Sequence, residues 1–62
     1  MDDKQLMSFI GPTLKHYQRA GWVFPKDVET IVLKAVKAIK AKSSLETLQN
    51  IDKAIQAAGK HG

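Results

Sequence analysis

Apolar residues recur along most of this chain at the spacing of an amphipathic helix, in three stretches separated by short links. In the first, Leu6, Ile10, Leu14 and Tyr17 fall on one side, with Met7 and Ala20 at its edges. Lys4, Ser8, Lys15 and Arg19 fall on the other. In the second, Val28, Ile31, Val32, Ala35, Val36 and Ile39 make the apolar face, and Leu33 lies just off it. Thr30, Lys34, Lys37 and Lys40 stand opposite. In the third, Leu45, Leu48, Ile51, Ala54, Ile55 and Ala58 form the stripe, with Glu46, Gln49, Asn50 and Lys53 outside. Thr30-Ile31-Val32-Leu33 is rich in strand formers, but neither alternation nor a hairpin partner follows it.

Punctuation residues bound these stretches. Gly21 follows Lys15, His16 and Arg19, whose positive charge suits a carbonyl-rich helix end, and Trp22 is placed for the apolar contact that accompanies such a stop. Pro25 suits a first helical turn, and Asp27 and Glu29 put negative charge where the helix dipole favours it. Ser43-Ser44-Leu45-Glu46 has the form of a capping box. Gly59 reads as a stop and Lys60-His61-Gly62 as a frayed tail. Gly11-Pro12 interrupts the first stretch, yet the apolar stripe keeps its phase across Pro12. The spacing therefore predicts helices over about 2–20, 25–42 and 44–58. The expected fold is all-α: a small antiparallel three-helix bundle, residues 1–62 forming a single helical domain, its first helix kinked or broken at Gly11-Pro12.

Size and charge narrow the functions such a bundle can carry. A chain of 62 residues buries only roughly 60% of its unfolded surface, so its stability margin is thin. It has no Cys for disulfides, and His16 and His61 are in no zinc-ligand spacing, so no metal and no cofactor are expected. No apolar run approaches the roughly 20 residues that span a bilayer, and Met1-Asp2-Asp3-Lys4 does not read as a secretory signal. The expectation is an intracellular, cytoplasmic chain without membrane attachment. Helix two alone is basic and amphipathic, but three complementary apolar faces suit a self-contained fold better than a membrane surface. Ten Lys and Arg against six Asp and Glu give a net charge of +4, which favours acidic partners without requiring nucleic acid.

Candidate chemistry is sparse. There is no glycine-rich phosphate loop, no purposeful pair of carboxylates and too little chain to enclose a ligand pocket of about 300 Å³ while keeping a core. His16 reads as a boundary residue near a helix end. The expectation is that the protein is not an enzyme. Lys34, Lys37 and Lys40 lie three apart with no acidic residue three or four positions before them, and Lys42 follows in the link. They read either as a solvated face or as a surface that meets carboxylates or phosphates. With one Arg among ten bases, specific base reading is disfavoured. The link Lys40-Ala41-Lys42-Ser43 has helix-turn-helix length, but it lacks the frequent glycine, and Glu46 would face phosphates. Trp22-Val23-Phe24 reads as a plug closing one end of the bundle or as an apolar knob on a partner, and Phe9 falls at the edge of its stripe.

These features point to a non-enzymatic protein-interaction module, a small regulator or inhibitor of a larger partner protein. Its candidate partner-binding residues are Phe9, Trp22, Phe24, Lys34, Lys37 and Lys40. The alternative is a small basic nucleic-acid-binding domain that uses Lys34, Lys37, Lys40 and Lys42. Self-association is compatible with either.

Overall fold

A computed structural model describes residues 2–62 of the chain. Among the described residues the chain forms three packed helices, α1 (Asp3–Arg19), α2 (Val28–Ala38) and α3 (Ser44–Ala58), and two short strands, β1 (Trp22–Val23) and β2 (Lys60–His61).

The start of α1 carries the complete capping box. The Gln5 backbone N–H donates to Asp2 Oδ1 at 2.8 Å, and the Asp2 N–H donates to Gln5 Oε1 at 3.3 Å. At Ser43, where the sequence predicts such a box, only half forms. The Glu46 N–H donates to Ser43 Oγ at 3.2 Å, and the return bond from the Glu46 side chain is not made. α1 is one helix through Pro12, which is exposed, so the orphaned Ser8 carbonyl lies on the solvent side. The expected alternative of a break does not occur.

Gly21 ends α1 as predicted. Its φ of +98° is the left-handed conformation that glycine adopts without strain, and its N–H donates to the Gln18 carbonyl at 3.1 Å. Trp22 then packs edge-on against Tyr17, ring centroids 5.3 Å apart, the apolar contact expected of that stop.

α2 is shorter than the predicted 25–42 at both ends. Pro25-Lys26-Asp27 forms a turn in which the Val28 N–H donates to the Pro25 carbonyl at 3.1 Å, and the helix begins only at Val28. At the other end Ile39 is extended (φ −99°, ψ 118°) and half exposed. Val36 is the last residue of the stripe to reach the core, and beyond it no burial rewards a further helical turn.

The core is wholly aliphatic. Leu6, Ile10 and Leu14 from α1, Val28, Val32 and Val36 from α2, and Ile51 and Ile55 from α3 are buried, and no polar residue is buried among them. Each helix thus contributes one row of residues four apart. The predicted faces were wider than this, and Ile31, Ala35, Ile39, Leu45 and Leu48 are exposed, Leu45 by 66%. In a bundle of three short helices each helix turns only about one row fully inward, and the flanks of each stripe stay at the surface. Asn50, predicted to face outward, is half-buried, with its side-chain nitrogen enclosed and unpartnered among the described residues.

The tail is not frayed. β2 pairs antiparallel with β1, Trp22 opposite His61 and Val23 opposite Lys60, and the Gly62 N–H donates to the Gly21 carbonyl at 3.0 Å. Gly59 leads into this ladder with an extended φ of −114°, so it is not the left-handed stop its position suggested. Its use is space. A methyl at Gly59 would overlap the ring of Phe24, which lies directly over the Cα.

Two outcomes are expected. Ile51→Asp puts an unpaired carboxylate where exposure is 1%, at a cost of several kcal/mol, comparable to the whole stability of a small domain. Far-ultraviolet circular dichroism should show loss of the helical signal. Glycine-to-alanine changes should split by site. Gly11→Ala meets no more distant part of the chain within 4 Å, but the helix propensity gained is offset by crowding of the new Cβ against the Pro12 ring, so stability should stay within about 1 kcal/mol of wild type. Gly59→Ala should destabilise by about 1–3 kcal/mol through overlap with Phe24. Thermal melts of the two variants, only the second falling clearly below wild type, check this.

Candidate interaction surface

Trp22 is the hub of an aromatic cluster at the end of the bundle that holds the strands. Phe24 stacks on it at 6.2 Å, Tyr17 and His61 meet it edge-on at 5.3 and 5.5 Å, and Gly59 lies beneath Phe24. Trp22 and Phe24 are both half-buried, which is the plug arrangement, while Val23 between them is 65% exposed.

Beside this cluster a polar link ties α1 to α3. The Tyr17 hydroxyl donates to Asp52 Oδ1, and Gln56 Nε2 donates to the Tyr17 oxygen at 2.9 Å and to Asp52 Oδ2 at 3.1 Å. The bond to Asp52 holds the Tyr17 pKa above its ordinary value, because ionisation would remove the proton the hydroxyl donates. The Gln56 bond opposes this, and partial burial and the Asp52 charge add to it. A phenol held protonated in this way is neither a nucleophile nor a base at neutral pH. Its contribution is to fasten two helices.

The lysines do not form one row. Lys34 and Lys37 are on α2, but Lys40 lies beyond its end, in the same extended link as Lys42. Lys37 has a partner that its own helix could not reveal: its Nζ is 3.1 Å from Asp3 Oδ1 on α1. This is the single ion pair among the described residues, and both side chains remain more than half exposed, so its worth is small.

Phe9 lies on a different face. Tyr17 bonding to Asp52, and Leu6 and Thr47 lining one groove, fix the register of α1 against α3: early residues of one lie beside early residues of the other. Phe9 is one helical step from the Ile10 core row, on the side from which Tyr17 reaches α3, and Leu45 and Leu48 flank the Ile51 row on the side of Asp52. Phe9, Leu45 and Leu48 are 40%, 66% and 39% exposed. α1 and α3 make the least extensive of the three helix–helix contacts. A shallow depression of about 530 Å³ lies on α3 beside Leu48, Gln49, Asp52 and Lys53. The neighbouring polar side chains on these faces are Gln5, Thr13, Gln49 and Gln56, with Asp52 and Lys53 the charged ones. Phe9 falls at the edge of its stripe in the sequence, whereas Leu45 and Leu48 read as part of the buried stripe. Their positions at the first turns of a capped helix, ahead of Ile51, were the signal available.

A second groove, of about 280 Å³, opens at the opposite end from the aromatic cluster, lined by Leu6, Val36, Lys37, Ile39, Ala41 and Thr47. Among the described residues no three His, Asp or Glu side chains stand together as metal ligands, and no helix is long and apolar enough to cross a membrane. Compared with protein-family models, curated proteins and solved structures, the chain matches none.

The polar link makes stability depend on alkaline pH. Because folding raises the Tyr17 pKa, its contribution is present below about 10 and is lost as pH climbs through the raised value. Tyr17→Phe should cost about 1 kcal/mol at pH 7, and the gap to wild type should close above pH 10. Urea unfolding of both proteins from pH 7 to 11 measures it.

Proposed function

We propose that the protein is a non-enzymatic interaction module that occupies a surface on a larger partner protein, as a small regulator or inhibitor. The observation that carries this reading is the exposure of Phe9, Leu45 and Leu48, three large apolar side chains on α1 and α3. Aromatic and apolar side chains are what fills the core of an interface. The aromatic plug leaves Trp22 and Phe24 a supporting role: they hold the end of the bundle that fixes α1 against α3. The absence of Cys suits action in a reducing cytoplasm.

Nucleic-acid binding is the second reading, favoured by Lys34, Lys40 and Lys42, which carry no ion pair among the described residues. Against it, Lys37 is engaged by Asp3 and Lys40 is off the helix, so the charges do not track one backbone.

Retention on the immobilised protein separates the two. With nuclease-treated cell lysate at about 0.15 M salt, a partner protein should be retained by wild type and by the Lys34→Gln, Lys37→Gln, Lys40→Gln triple variant. Phe9→Ser, with its fold verified by circular dichroism, should lose it. Tight duplex binding with a log–log salt slope near about −2.7, abolished in the triple variant, would reverse the order of the two readings.

A further inference from the structure

We infer that the groove at the end of the bundle away from the aromatic plug binds a small amphiphilic carboxylate, of the class of a medium-chain fatty acid. The groove is a missing layer of core. Leu6 and Val36, each 4% exposed, form its floor and are the terminal buried members of the α1 and α2 rows at this end. The next apolar residue in phase on α2 is Ile39, which turns out into the extended link and stays 50% exposed. On α3 the position one turn ahead of Ile51 is Thr47, a small polar side chain, and on the link Ala41 offers a single methyl. Trp22 and Phe24 close the other end of the bundle, whereas here the three helices and the link leave about 280 Å³ unfilled.

Volume sets the size of the ligand. Water takes about 30 Å³ in the liquid, so roughly nine waters fill the groove, and a molecule that displaces them has on the order of ten heavy atoms. That is too little for a helix or strand of a partner and suits one short alkyl chain with a head group. Leu6, Val36, Ile39 and Ala41 give the chain its apolar wall. Charge sets the head group. Lys37 is the cation on the wall. Asp3 meets its Nζ at 3.1 and 3.2 Å, both side chains stay more than half exposed, and an ammonium has three N–H groups to share. Lys40 and Lys42 stand next to Ile39 and Ala41 on the link, with no ion pair among the described residues. The acids close by are Asp2 and Asp3, both already bonded, and Glu46, which projects about 100° round α3 from Thr47. Leu6 and Thr47 are each the fourth residue of their helix, so the positive ends of α1 and α3 converge on the groove against the negative end of α2. The balance favours an anion over a cation.

The test is a titration of the isotope-labelled full chain with octanoate, followed by amide and methyl shifts. Octylamine, with the same chain and the opposite charge, and a short peptide ending in leucine are the matched probes. Octanoate should shift Leu6, Val36, Ile39 and Ala41, saturate with a Kd below about 1 mM and bind at least about fivefold tighter than octylamine. Lys37→Gln should remove that preference. Thr47→Leu fills the groove from α3 with a good helix former, and Ala41→Leu fills it from the link; each should abolish octanoate binding with helicity unchanged. Failure to saturate below about 1 mM, shifts confined to other faces, or equal affinity for amine and carboxylate would overturn the inference. So would undiminished binding in both filled variants, or tighter binding of the peptide. Phe9-dependent capture of a protein alongside any of these results leaves the interaction-module reading standing and removes only the small ligand.

Discussion

Ile10, Val32, Ile51 and Ile55 are the four side chains that solvent scarcely reaches, and every other feature of the molecule is arranged so that they meet. They come from three helices, of which α2, with only 11 residues, is too short to be stable alone in water. Burial of aliphatic surface is therefore what makes each helix a helix, and the helices extend only as far as that burial continues. This explains why α2 stops after Val36 has found the core, and why an apolar residue such as Ile39, placed in phase but past the end, stays in the extended link. With no polar group buried in the core, no buried hydrogen bond fixes which face meets which, so orientation has to be set at the ends.

At one end that task falls to aromatic stacking, a two-residue ladder and a glycine with nothing on its Cα. Phe24 can lie across the chain at Gly59 only because no Cβ is there, and this brings Lys60–His61 beside Trp22–Val23. Trp22, held between Tyr17, Phe24 and His61, joins the last turn of α1 to the chain leaving α3. Tyr17 serves twice, through its ring to Trp22 and through its hydroxyl to Asp52 and Gln56. Two glycines that look alike in sequence thus work differently: Gly21 by its positive φ, Gly59 by its missing side chain.

The helices and their order were legible because period 3.6 is a local property, and Gly21 and Ser43 act within a few residues of themselves. Three things were not. The capping box at Asp2 and Gln5 uses a less familiar acid–amide pair, so the Ser43 signal outweighed it. The Phe24–Gly59 approach and the β1–β2 pairing join residues more than thirty positions apart, and a two-residue strand leaves no pattern in either partner. The width of each apolar stripe also misled, because periodicity gives the centre of a buried face and not its edges. Leu45 and Leu48 are in phase with Ile51 and Ile55, and only the number of packed neighbours decides that the first pair faces water. The same limit applies to the lysines: the Lys37–Asp3 pair was invisible to any search confined to one helix.

That a stripe's edge stays exposed in so small a bundle has a consequence for how surface and function combine. Isolated exposed leucines are ordinary, and Ile31 and Val23 need no explanation beyond the shortage of polar surface. Phe9, Leu45 and Leu48 are the large apolar side chains left at the surface on the two helices that the Tyr17–Asp52 bond ties together. Covering them would add apolar burial to a domain whose own supply is small. A partner that seats apolar side chains against Phe9 and Leu48 meets them in this arrangement only in the folded state, so binding to this surface should raise the melting temperature of the bundle as well as occupy it.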